Sequence, residues 1–107
     1  MELTSKQRAQ LRGMANTIDT ILQVGKEGIT DNLIHQADEA LEARELIKGR
    51  VLENSMLTAQ EACDQLAKPT RSEPVQVIGS KFVLYRETHA RPKDKRIALV
   101  KERKRKA

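Results

Sequence analysis

The segment Gln23-Val24-Gly25-Lys26-Glu27-Gly28-Ile29-Thr30 leaves the backbone few choices. An apolar run from Ile21 to Val24 stops at one glycine, and a second glycine follows three positions later. Thr30, a good helix N-cap, then precedes apolar residues at Leu33, Ile34, Ala37 and Leu41. The spacing predicts a strand, a GxxG loop and the start of a helix. Glycine admits positive φ and lets a ligand approach without a Cβ in the way. The first turn of a helix carries N–H groups that lack an intrahelical acceptor and favour anions. In a small basic chain this combination points to a nucleic-acid backbone as the ligand.

The same logic extends along the chain. Thr4-Ser5-Lys6-Gln7 has capping-box spacing and opens a first helix running to about Ala15 or Asn16, with Leu11, Met14 and Ala15 on its apolar edge and Arg8 and Arg12 on one face. The second helix spans roughly Thr30 to Ala43 and has an acidic outer surface at Asp38, Glu39 and Glu42. Glu45 to Leu52 reads as a strand in which Lys48 and Arg50 point away from Ile47 and Val51. Thr58-Ala59-Gln60-Glu61 is a second capping box, and Ala59, Ala62, Cys63, Leu66 and Ala67 follow at helical spacing, with Pro69 just beyond the expected end. Val75–Ile78 and Lys81–Arg86 are strands joined by Gly79-Ser80, which suits a type II′ hairpin turn. The order α-β-α-β-α-β-β predicts an α/β (α+β-like) domain with a mixed four-stranded sheet layered with helices.

A chain of 107 residues fits one domain, with a body over 1–90 and a basic tail over 91–107. Residues 91–107 hold nine Lys/Arg against two Asp/Glu, whereas residues 1–90 hold eleven against thirteen. The body is therefore slightly acidic, and RNA binding by it requires a local basic surface. Phe82 and Tyr85 are the two aromatic residues, too few for a binder that works mainly by stacking bases on rings. A strand tyrosine packs the sheet more often than it stacks on a base. Ile97–Val100 is an apolar patch expected to dock on the body or add a strand, ahead of the basic run Lys101–Lys106.

A single cysteine, Cys63, excludes an internal disulfide. No apolar run reaches the length of a membrane span, and the N-terminus lacks a signal-peptide layout, so a cytoplasmic protein with no membrane partner is expected. One cysteine and the isolated His35 and His89 give a zinc site little support, and no nucleophile or nucleotide-loop motif occurs. The expectation is a protein that is not an enzyme and has no cofactor.

Three blocks carry a family resemblance: Ser5-Lys6-Gln7-Arg8 with Leu11-Arg12; Gln23 to Gly28 continuing through Asn32-Leu33-Ile34 to Ala40–Lys48; and Val75–Gly79 leading to Phe82–Arg86. In this order and spacing the chain resembles the bacterial stand-alone CRM-domain proteins of the YhbY type over about residues 2–87. The resemblance implies a fold similar to the C-terminal domain of translation initiation factor three, RNA binding through a KH-like GxxG loop, and a link to precursors of the large ribosomal subunit. Gly25, Lys26, Glu27 and Gly28 match the family's loop, Lys6, Arg8 and Arg12 its basic first helix, and Lys48 its strand cation. Gly49 departs from the family pattern, where a β-branched residue is usual; it either loosens the strand or marks a close contact.

The expected interface thus comprises the loop residues Gly25, Lys26, Glu27 and Gly28, the cap Thr30, the first-helix cations Lys6, Arg8 and Arg12, and the strand cations Lys48 and Arg50. Lys81 and Arg86 are weaker candidates. Glu27 and Asp31 place negative charge beside the loop and argue for modest affinity. The expected partner is RNA, and the resemblance implies ribosomal RNA of the large-subunit precursor; the alternative is an adaptor that binds a ribosomal protein through the acidic second helix.

Overall fold

The computed structural model describes residues 3–88 and 96–99. Its elements are α1 (Ser5–Ala15), β1 (Thr20–Val24), α2 (Asp31–Arg44), β2 (Leu46–Val51), α3 (Ala59–Thr70), β3 (Glu73–Ile78) and β4 (Lys81–Tyr85). The order is the one expected from the sequence, because each helix start is set within four residues. Thr4 Oγ1 accepts the Gln7 amide at 3.1 Å while Gln7 Oε1 takes the Thr4 amide at 3.0 Å. Thr58 and Glu61 repeat the exchange at 3.1 and 2.9 Å. Thr30 Oγ1 accepts from the Leu33 amide at 3.1 Å. Each cap satisfies a donor that helix geometry leaves orphaned and stabilises its helix by about 1 kcal/mol.

Two helix ends differ from expectation. α3 does not stop before Pro69 but runs through it to Thr70. Proline removes the N–H that would bond the Gln65 carbonyl, and both residues lie on the exposed side, where water can serve that carbonyl. The helix ends instead at Arg71 (φ 55°), with the Ser72 amide on the Ala67 carbonyl at 3.0 Å. Glu45, expected to begin the second strand, is the C-cap of α2, with φ 67° and ψ −39°. Such a conformation costs a non-glycine residue roughly 1–3 kcal/mol. Tertiary bonds hold it: the Glu45 carbonyl accepts the Arg86 amide at 2.9 Å, and its buried carboxylate accepts the amides of Thr88 at 3.3 Å and Ile97 at 2.7 Å.

The sheet order is β1-β2-β4-β3. β1 and β2 are parallel, and β4 runs antiparallel to both β2 and β3. The hairpin pairs Ile78 with Lys81 across Gly79-Ser80, with positive φ at Gly79 (58°) and not at Ser80, as a type II′ turn requires. β3 begins at Glu73, ahead of the expected Val75, and includes Pro74; an edge strand tolerates that proline.

Helices cover the two sheet faces unequally. On one face, α2 and α3 bury Leu33, Ala37, Leu41, Ala62, Cys63 and Leu66 against Leu22, Val24, Ile47, Phe82 and Leu84. On the other, α1 buries Leu11 and Ala15 against Leu46, Val75, Val83 and Tyr85. Ile97 and Leu99 join this second cluster, so the described part of the apolar patch docks and adds no strand, and Val100 lies outside the described residues. Gln10 Nε2 donates to the Ala98 carbonyl at 2.8 Å. Gly49 marks a close contact: a Cβ there would stand 2.4 Å from Cζ of Phe82, its cross-strand partner.

Candidate nucleic-acid interface

The GxxG loop is a tight turn at the end of β1, closed by the Gly28 amide on the Gly25 carbonyl at 3.0 Å. Lys26 and Glu27 occupy its corners, both exposed and both with negative φ. The glycines differ in kind. Gly28 has φ 70°, which disfavours any other residue there, whereas Gly25 does not need glycine for its φ. Gly25 faces Asn54 and Leu52, each 3.8 Å from where its Cβ would be, and Gly28 faces Leu57 at 3.7 Å. The β2–α3 loop thus buttresses the turn from behind. In front lies a shallow polar groove whose lining includes Gln23, Lys26, Thr30, Asn32 and Gln36 together with the Glu27 carboxylate. Thr30 already occupies the Leu33 amide, which leaves the amides of Asp31 and Asn32 as the first-turn donors toward that groove. The Asp31 carboxylate shares the turn.

The sheet register places the other predicted residues. Arg50 pairs with Gln23 on β1 and Lys81 on β4, and Lys81 pairs with Ile78 on β3. Partners directly opposite share a face, so Gln23, Arg50, Lys81 and Ile78 form one row across the α1 side of the sheet. Lys48, paired with Thr20 and Val83, stands one row behind. α1 covers the part of this face toward Tyr85, and the Arg50 row is left open. Gln23 belongs to both this row and the loop groove, so Lys26, Gly28, Thr30 and Arg50 fall on one continuous surface.

The first-helix cations are not beside the loop. The Arg8 guanidinium donates to the Pro74 carbonyl on β3, the edge strand farthest from β1. Arg12 lies one turn on, on the flank away from Gln10 and the 96–98 segment. Lys6 is exposed near the same helix start. Arg86 is committed elsewhere: its guanidinium meets Asp38 Oδ1 at 2.6 Å, Glu42 Oε2 at 2.9 Å and the Thr70 carbonyl at 2.8 Å. The acidic surface of α2 is therefore partly neutralised from within. The basic run Lys101–Lys106, together with His89, lies outside the described residues.

Sequence reasoning missed Gln23, Asn32, Gln36 and Asn54. Gln23 carried a usable signal, its period-2 position facing away from Leu22 and Val24; the others depend on how two loops meet. Neither Tyr85 nor Cys63 can act at the surface. Tyr85 is buried in the α1-side core, where burial, and then the negative charges of Glu45 and Glu87, push its phenol up to about 12. Burial, followed by Asp64, likewise pushes the Cys63 thiol up to about 12 and keeps it a neutral core residue. Among the described residues no helix is long and apolar enough to cross a membrane, and no group of His, Cys, Asp and Glu could hold a metal ion.

Comparison with known proteins places the chain in a family. The model of the CRS1 / YhbY (CRM) domain matches residues 3–86. The Bacillus subtilis (strain 168) protein named "Probable RNA-binding protein YqeI" is 49% identical over 86 residues, covering 80% of this chain and 90% of that protein. A Haemophilus influenzae protein named "RNA-binding protein" is 32% identical over 84 residues, covering 78% and 85%. The solution structure of the Staphylococcus aureus hypothetical protein SAV1595 is 48% identical and superposes with a TM-score of 0.75 over 92% of this chain and 100% of that one.

Proposed function

The chain belongs to the CRS1 / YhbY (CRM) domain family, and from that premise we propose that it is an RNA-binding protein that holds phosphates at the GxxG turn and along the adjoining open row of β2. The observation that carries the reading is the continuity of that surface: exposed Lys26, the positive-φ Gly28, the first turn of α2, and Gln23 beside Arg50. The turn's tight closure brings backbone close to a ligand, and Lys26 and Arg50 supply charge for the phosphates. Glu27 and Asp31 oppose it and keep affinity modest. The relatives' names support RNA as the ligand class. Ribosomal RNA of the large-subunit precursor is the specific target proposed, on the family resemblance, with the protein acting in the cytoplasm as an assembly factor and not as an enzyme.

An adaptor role through α2 has less behind it. Two of the three acidic residues it would use, Asp38 and Glu42, are ion-paired with Arg86, and Glu39 meets His35 at 3.0 Å. The deciding experiment is the Lys26→Glu, Gly28→Asp double variant. RNA retention on filters should fall at least tenfold with an unchanged circular dichroism spectrum; undiminished retention would remove the loop from the mechanism. Crosslinking in cells, with the contacted nucleotides mapped, tests the ribosomal assignment.

A further inference from the structure

The groove in front of the GxxG turn has a volume of about 260 Å³ and lies against β1, an edge strand of the sheet. Its lining carries one cation and one carboxylate, Lys26 and Glu27, so it offers a phosphate no net charge. It offers instead three carboxamides: Gln23 from β1, and Asn32 and Gln36, one turn apart on the same face of α2. All three are exposed, as is Glu27. Among the described residues none of these four side chains has a hydrogen bond or ion pair, whereas Gln7, Gln10 and Gln60 are engaged by Thr4, the Ala98 carbonyl and Asp64. Arg50 and Lys81 do not line the groove; they continue from Gln23 along the open row of the sheet.

We infer that this groove receives the hydrogen-bonding edge of one unpaired base that carries an exocyclic amino group, and that it discriminates against uracil. The inference rests on the RNA reading above and adds what the site selects. Each carboxamide presents one acceptor and two donors, a mixed pattern that a base edge shares and a phosphate lacks. The Glu27 carboxylate only accepts. Adenine, cytosine and guanine each bring an amino group to such an acceptor. Uracil brings an N3–H flanked by two carbonyl oxygens, and those oxygens repel the carboxylate. Glu27 therefore weakens phosphate binding through its charge and supplies selectivity through its lone pairs. The strand's phosphates pass Lys26 at the corner of the turn and continue onto Arg50, outside the groove. A base inside a duplex has its pairing edge occupied, so the ligand is single-stranded at this point.

The test uses the full chain and three RNA strands of equal length: oligocytidylate, oligouridylate and an abasic strand. Cytosine and uracil share one ring and differ at C4 and N3, so the comparison isolates the edge. The intact chain should bind the cytidylate about tenfold more tightly than the uridylate, with the uridylate close to the abasic strand. Glu27→Gln removes the charge and adds a donor. It should strengthen uridylate and abasic binding and reduce the preference for cytidylate to within about twofold. Gln36→Ala should narrow the preference as well, by weakening cytidylate binding. Both substitutions change exposed side chains. Equal affinities for cytidylate and uridylate in the intact chain overturn the inference while the RNA reading stands. So does a Glu27→Gln gain of the same factor on all three strands, which is what charge repulsion alone produces. Failure of the intact chain to bind any strand, or undiminished binding by the Lys26→Glu, Gly28→Asp variant, overturns the RNA reading at this site and the inference with it.

Discussion

The two ends of the sheet use charge in opposite ways. At the end where β2 starts and β4 finishes, charged groups are consumed internally: Glu45 clamps the amides of Thr88 and Ile97, and Arg86 spans Asp38, Glu42 and the Thr70 carbonyl. At the loop end, Lys26, Arg50 and Lys81 are exposed, and the turn glycine Gly28 keeps backbone near the surface. One end stabilises; the other is available to a ligand. A charged residue's role follows from whether the fold supplies its partner, not from its type.

The largest effect should come from breaking the closed end. Glu45→Ala leaves two amides without their acceptor and should lower unfolding free energy by about 3 kcal/mol, read by urea denaturation. Hydrogen exchange at Ile97 should rise with it, while exchange near Gly25 stays as before. Undisturbed stability would mean that the clamp does not hold the 96–99 segment. Next, Gly49→Val forces Phe82 from its place and should cost about 2 kcal/mol, measured the same way; an unchanged midpoint would show that the ring moves aside freely.

A sharper form of the comparison exchanges one arginine at each end. Arg86→Ala should destabilise by about 1–2 kcal/mol and leave the salt slope of RNA binding unaltered. Arg50→Ala should do the reverse, with stability within about 0.5 kcal/mol of the parent. A separate effect is confined to alkaline pH and belongs to the core and not to either end. Cys63 and Tyr85 both have pKa values raised to about 12 in the folded protein, from 9.0 and 10.0. Above pH 9 the unfolded chain releases these protons and the folded chain retains them, so stability should fall as pH rises from 9 toward 12. Melting temperatures that stay level over that range would contradict both assignments, and Tyr85→Phe should flatten the upper part of the curve.

Much of the loop end was legible in the sequence. The GxxG turn, the Thr30 cap and the outward alternation of Lys48 and Arg50 all depend on neighbours within four residues. The closed end was not. Glu45 reads as a strand residue because nothing local signals that Thr88 and Ile97 return to it, and Arg86 reads as one more surface cation until Asp38 and Glu42 are brought beside it. Arg8 and Arg12 share a helix face by periodicity, but periodicity is silent on which strand that face meets. It meets β3, across the sheet from the loop.

The chain's own order of residues thus determined the seven elements, their N-caps, the hairpin turn and the direction of the β2 cations. These are short-range consequences of hydrogen-bond reach and backbone sterics. Only the tertiary structure decided that β4 inserts between β2 and β3, that Phe82 fills the space above Gly49, and that Gln23, Arg50, Lys81 and Ile78 line up in one row. Register between distant strands is chosen by the best joint burial of two hydrophobic faces, a property that no single segment carries.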